Sequence, residues 1–351
     1  LKPTAQVFIQ MGPGGVGKTT VSAAYGLYWA KQGKKVLVMT IDPARRLAQA
    51  LGISNKSGTV QVPIEGIAGE LHATLLDHSL IFDQFILKMS SKSQMAEKLF
   101  RNKLYQSLKT KLQGTQDFTS LIELYQQATS GKYDIVVLDT PPAQHAWQFL
   151  ESPDKFSNLF KEKIMRWFQW MGSPDESLGF WNKVMTAGTQ RVMKALQILT
   201  GPEFMNQISD FFKTIQSFQI QLREKIEGAQ DLLKSPKTEF TLVTTQDELK
   251  IIETIGYAKE IQQKRYHLKR VILNRAWPTD ALGDVSDLKP ADQAELKRLF
   301  QLFSESQKTN EKLMKNWPAE VKIIKVFDTL KSSHDLTRLS EMADDMKESW
   351  K

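Results

Sequence analysis

The chain has 351 residues, 41% hydrophobic and 25% charged, a globular profile with room for one large domain or two modest ones. The absence of cysteine excludes disulfides, Cys-ligated zinc, iron–sulfur clusters and thiolate metalloid sites, and no run of 18 apolar residues is present to span a membrane. A net charge of +8 would suit anionic partners. The densest basic cluster, Lys264 to Arg270, reads first as cations closing a helix ahead of a strand. The five histidines show no metal-ligand spacing. The chain starts at Leu1 rather than Met, which leaves a preceding targeting segment open.

In chain order, Val7-Phe8-Ile9 reads as a buried strand. It runs into Gly12-Pro13-Gly14-Gly15-Val16-Gly17-Lys18-Thr19-Thr20, which satisfies G-x-x-x-x-G-K-[ST] at every required position. Val21, Ala24, Tyr25, Tyr28 and Trp29 follow near helical spacing, so a helix starts at about Lys18. A strand, a glycine-rich turn and a helix N-terminus make an anion site, because unpaired backbone N–H groups and the helix dipole both point at the ligand. Gly14, Gly15 and Gly17, with Val16 between them, let the backbone wrap phosphate oxygens. Lys18 reaches the β- and γ-phosphates and Thr19 offers its hydroxyl to Mg²⁺.

Val36–Ile41 is the second strand and ends at Asp42-Pro43. A carboxylate there can orient or activate an attacking water, or it can cap the helix that follows; spacing alone does not choose between these. The segment from about Leu75 to Ser130 is mainly helical. Ile135–Leu138 is the third strand and ends in Asp139, the position from which an acid faces Mg²⁺ beside a phosphate loop. His145, after Pro141-Pro142-Ala143-Gln144, reads as a helix-start histidine rather than a catalytic one. A second mainly helical segment runs from about Ser152 to Lys237. Strands at Thr241–Thr244, Val271–Leu273 and Val321–Val326 complete the set. Short, nearly continuous β-branched runs alternating with helices predict a doubly wound, mainly parallel α/β sheet of the P-loop type. The expected division is a nucleotide core of 1–74, 131–151 and 238–351, with 75–130 and 152–237 as an inserted helical subdomain.

That second insertion is distinctive. Residues 151–240 hold nine of the 18 Phe and five of the 12 Met. Ile208, Phe211, Phe212, Ile215, Phe218, Leu222 and Ile226 keep one helical face apolar. Met165, Trp167, Phe168, Trp170 and Met171 form a denser cluster around most of a helix. An adaptable partner-binding groove and an ordinary helical core both fit this pattern, the core being the default for any single residue.

The loop Gly14 to Thr20, the segment Asp42-Pro43-Ala44, and Asp139-Thr140 with His145 six residues beyond Asp139 together resemble the arsenite-pump and tail-anchored-protein-targeting ATPases, relatives of the ParA and MinD positioning ATPases. The resemblance covers roughly 1–60, 132–150 and 240–330. It implies that Gly14 to Thr20 cradle the phosphates of ATP or ADP, that Thr19 and Asp139 serve Mg²⁺, and that Asp42 activates water in a first switch. It also implies that Asn274, after Val271-Ile272-Leu273, reads adenine, with Phe327 beyond the last strand as a wall for the base. The family works as dimers with nucleotide at the subunit interface.

Three departures separate this chain from that pattern. The family carries a lysine at the Pro13 position that crosses to the partner's phosphates, and proline has neither cation nor N–H. A charge of that kind is worth about 10³–10⁵ in rate. Second, Arg45 stands where the family usually has histidine; Arg45 or Arg46 is a source of a cation in cis, although a solvated helix face is the plainer reading. Third, the lack of cysteine removes both the metalloid site and the dimer-bridging zinc motif.

The leading expectation is a cytoplasmic, Mg²⁺-dependent ATPase switch. It would act as a homodimer, or as a heterodimer with a related ATPase, and bind a protein partner or client through the helical subdomain. The alternatives are a ParA/MinD-like positioning ATPase or a poorly hydrolysing regulatory subunit of a heteromeric ATPase. Membrane and nucleic acid are not expected as partners; the tail Glu341 to Glu348 is too acidic for a membrane-surface helix.

Overall fold

The computed structural model describes residues 2–41, 45–54, 58–89, 93–103, 105–106, 113–143, 146–152, scattered positions in 203–217, 219–276, 289–317, 321–327 and 336–348. Its centre is an eight-stranded sheet in the order β3-β4-β2-β5-β1-β6-β7-β8. The strands are β1 (Gln6–Met11), β2 (Lys35–Thr40), β3 (Gly58–Gln61), β4 (Glu70–Leu75), β5 (Ile135–Asp139), β6 (Thr238–Thr244), β7 (Leu268–Ala276) and β8 (Lys322–Phe327). Every pairing is parallel except β3 with β4. The expected doubly wound α/β sheet is therefore the fold.

Two strands escaped the sequence reading. β3, Gly-Thr-Val-Gln, is a mostly exposed edge strand whose side chains carry no burial pattern. In β4 the polar Glu70 and His72 break the apolar run that signals a buried strand. What places β4 is its pairing with β2, from Lys35↔Glu70 to Thr40↔Leu75.

The described helices are α1 (Lys18–Lys31), α2 (Arg45–Leu51), α3 (His78–Met89), α4 (Ser93–Arg101), α5 (Gln113–Thr129), α6 (Gln219–Lys234), α7 (Glu248–Gln263), α8 (Pro290–Met314) and α9 (Leu336–Glu348). None is long and apolar enough to cross a membrane. α1 lies on the sheet face that carries Phe8, Val36, Val38, Val137 and Val243, and it is buried on most sides because α2 and α9 cover it. Leu339, Met342, Ala343 and Met346 of α9 belong to that same core. Burying each of the larger ones contributes about 1.5–3 kcal/mol.

The chain divides into two units, the first Leu1–Leu76, Leu124–Trp147 and Asp231–Lys351, the second Asp77–Glu123 and Gln148–Gln230. In the second, Phe82 stacks on Tyr105 at 5.4 Å and Phe85 meets Phe118 edge-on at 5.6 Å. Of the apolar face expected at 208–226, Ile208, Phe211, Leu222 and Ile226 are buried. Phe212, Ile215 and Phe218, and the whole 165–171 cluster, lie outside the described residues.

The basic cluster after α7 is spent locally. Lys264 caps the helix and sets its ammonium over the Trp147 ring, His267 Nε2 lies 3.1 Å from the Lys234 carbonyl, and Arg270 pairs with Glu239. Lys264 to Arg270 thus runs from the end of α7 into β7, and three of its side chains are engaged by neighbours within the first unit.

Candidate functional site

Parallel register brings the carboxyl ends of β1, β2 and β5 level: Gln10 and Thr40 both flank Asp139. The chain leaves β1 through the glycine-rich loop at this edge, where open α/β sheets bind ligands. Gly12 takes φ +154°, and a Cβ on it would stand 2.1 Å from the Val243 carbonyl oxygen, so no other residue fits. Gly17, at φ 88°, is the N-cap of α1 and has no side chain to close the helix end. The first N–H groups of α1 are therefore left to an external anion.

Around that end the polar side chains are held by one another. Lys18 is buried and donates to the carbonyl oxygens of Gly12 at 3.1 Å and Pro13 at 2.8 Å. Pro13 thus meets Lys18 through its backbone oxygen, at the position where the resemblance expects a second lysine. The Thr19 hydroxyl donates to Asp139 Oδ2 at 2.7 Å, and Thr40 donates to the same oxygen at 3.0 Å. Asp139 is 0% exposed, so the two hydroxyls offset the cost of burying its charge. Beyond Asp139, Thr140 Oγ1 donates to the Gln10 carbonyl at 2.8 Å and the Ala143 N–H donates to the Gly12 carbonyl at 3.0 Å. The segment after β5 is thereby tied to the loop that follows β1.

Asn274, near the end of β7, donates through Nδ2 to the Val16 carbonyl at 2.8 Å. A Cβ on Gly17 would lie 2.4 Å from the same Nδ2. The expected adenine reader therefore touches the glycine loop directly. Phe327 is 42% exposed at the end of β8, level with Ala276, and is not among the described residues lining the cavity. Asp42 and His145 lie outside the described residues, as does the side chain of Arg45.

A cavity of ≈ 610 Å³ opens over this arrangement. Gly15, Gly17, Lys18, Thr19 and Thr20 form its loop side, and Thr140, Pro142 and Asn274 border it. Arg46 and Gln49 enter from α2, Arg275 from β7, and Arg338, Leu339 and Met342 from α9. The described lining holds four cations and no carboxylate, which suits a polyanion. The Thr19 hydroxyl and the Asp139 carboxylate are hard oxygen donors, whose chemistry would fit Mg²⁺ alongside phosphate and water. Among the described residues no group of three or more His, Asp or Glu forms a separate metal cluster. A divalent ion here would thus take some of its ligands from the phosphates.

Thr40, Thr140 and the α9 residues were not foreseen as part of this site. Thr40 could have been found from its place at a strand end beside an acidic one; α9 carries no motif at all.

The family model for the anion-transporting ATPases matches residues 5–333. The chain belongs to the anion-transporting ATPase family. It is similar to "ATPase ASNA1 homolog 2" of Paramecium tetraurelia, at 24% identity over 271 residues, 77% of this chain and 75% of that one. It is 26% identical to "ATPase GET3" of Mycosarcoma maydis over 265 residues, 75% and 70% of the two chains. With "ATPase GET3B" of Arabidopsis thaliana it shares 24% over 289 residues, 76% and 63%. This anion-transporting ATPase family member is accordingly an ATPase, with the family's α/β fold.

Proposed function

We propose that the chain is a Mg²⁺-dependent ATPase switch that binds ATP and ADP in the cavity over α1. The observation that carries this is the convergence of Lys18, Thr19, Asp139 and Asn274 on the N-terminus of one buried helix. Lys18 would exchange its two loop carbonyls for phosphate oxygens, which return stronger charge-assisted hydrogen bonds. Bound Mg²⁺ would neutralise charge on the β- and γ-phosphates. Thr19 and Asp139 would hold that ion, directly or through water, while Thr40 keeps the carboxylate aimed. Asn274, already placed against the loop, would read the base, with Phe327 one strand away as its neighbour. Asp42, which follows β2 in the sequence, would orient the attacking water. Dimerisation, a protein client at the second unit and a cytoplasmic location complete the proposal. They rest on the family resemblance of the nucleotide core and on the Phe- and Met-rich composition of 151–240.

Pro13 favours a second reading, a subunit that binds nucleotide but turns it over slowly on its own. Steady-state turnover of the pure protein and of Pro13→Lys separates the two. A rise of tenfold or more in the variant supports the slow subunit. Equal, brisk rates support a self-sufficient ATPase. No binding of ATP or ADP by either protein would refute the nucleotide reading itself.

A further inference from the structure

The cavity has a wall that no phosphate-loop motif contains. α9, at the far end of the chain, contributes Arg338, Leu339 and Met342 to the lining. Leu339 and Met342 are buried against α1, which fixes the rotation of α9 about its axis. Its position along the axis is fixed as well. Lys31, in the last turn of α1, donates to Ser340 Oγ at 2.6 Å, to the Ser340 carbonyl at 3.2 Å and to both Asp344 oxygens at 2.9 Å. Arg338 is thus half-buried on a helix clamped along the element whose other end is the phosphate loop.

Arg275, another cation of the lining, sits at a register shift between β7 and β8 with φ 55°. A non-glycine residue in the left-handed region is strained and persists where its surroundings impose it. Two arginines from distant parts of the chain are therefore brought to one cavity, each by a specific backbone arrangement. Positive charge collected in this way suits a polyanion in the space.

We propose that Arg338 is a nucleotide-binding residue, its guanidinium hydrogen-bonding phosphate oxygens of a nucleoside di- or triphosphate. This rests on the reading of the cavity as the nucleotide site. The planar guanidinium fits phosphate in two-pronged fashion, which an ammonium cannot reproduce. By linkage, nucleotide then stabilises the docking of α9, and loosening α9 weakens nucleotide.

The test is calorimetric titration of ADP and ATP, each with Mg²⁺, into the full chain and four variants: Lys18→Ala, Arg338→Ala, Arg338→Lys and Arg298→Ala. The last removes the same charge from the exposed face of α8. Arg338→Ala is expected to weaken binding about 10- to 100-fold, Arg338→Lys to recover part of the loss, and Arg298→Ala to match wild type. Hydrogen exchange across 336–348 should slow on adding ADP in wild type and not in Arg338→Ala. Wild-type affinity in Arg338→Ala, with binding lost in Lys18→Ala, overturns the role of Arg338 and leaves the nucleotide site standing. An equal loss in Arg338→Ala and Arg298→Ala also overturns it, since general charge would then account for the effect. Unchanged binding in Lys18→Ala refutes the nucleotide reading and this inference with it. Arg338→Lys keeps the charge and the helix packing, so it decides the matter if Arg338→Ala is poorly folded.

Discussion

The two units bury the same kinds of polar side chain and use them differently. In the second, Tyr105 donates to Asp83 at 2.7 Å, Asn102 donates to the Gln207 carbonyl at 2.7 Å, and His78 lies 3.3 Å from the Thr119 hydroxyl. Each of these contacts has both partners inside the unit, and burial together with Asp83 pushes the Tyr105 phenol far above its usual range. Such pairs are cross-links. In the first unit, Lys18, Thr19, Asp139 and Asn274 are also hydrogen-bonded, but to loop carbonyls and to each other, beside a cavity that Lys18, Thr19 and Asn274 line. On the proposed function, each of those bonds is exchanged for one to a ligand. The difference teaches that a satisfied buried polar group is structural or functional according to what lies beyond it.

Four measurements sharpen or break that contrast. The largest effect is expected for Lys18→Ala, with turnover falling about 10²–10³-fold while the thermal midpoint without nucleotide stays within a few degrees of wild type. Asp139→Asn keeps an oxygen for Thr19 and Thr40 but removes the charge. Mg²⁺-dependent turnover should fall about 10²-fold, with ADP affinity in EDTA unchanged. In the second unit, Tyr105→Phe should cost about 1–2 kcal/mol in urea unfolding and leave the ADP Kd as it was; a threefold or larger change in that Kd would break the comparison.

The smallest effect concerns pH. Burial holds the His78 pKa below its ordinary value, against an opposing pull from Asp77. The unfolded chain therefore binds more protons than the folded one below about pH 6.5, and stability falls as pH drops through that value. The fall levels off once pH is below the folded pKa. His78→Gln should flatten part of it in thermal melts from pH 7.5 to 5. His72 is lowered by burial as well and sustains the remainder.

The strands legible in the sequence are those buried on both faces, because that burial demands continuous β-branched runs such as Ile135–Leu138. β3 and β4 were not legible, since an exposed edge strand and its polar-interrupted neighbour satisfy no such demand. The loop and the start of α1 were legible for a local reason. Glycine at φ values closed to other residues, followed by Lys-Thr, is chemistry that only nearby sequence can supply.

Local sequence therefore determined the phosphate loop, the acidic end of β5 and the α/β alternation, all of which depend on backbone conformation within a few residues. Tertiary structure alone decided that Thr40 and Thr19 would share one oxygen of Asp139, that Asn274 would reach the Val16 carbonyl, and that α9 would wall the cavity with Arg338. These contacts join segments separated by 99 to more than 250 residues. They exist because parallel strands level their carboxyl ends and because α1, buried on most sides, needs α9 to cover it.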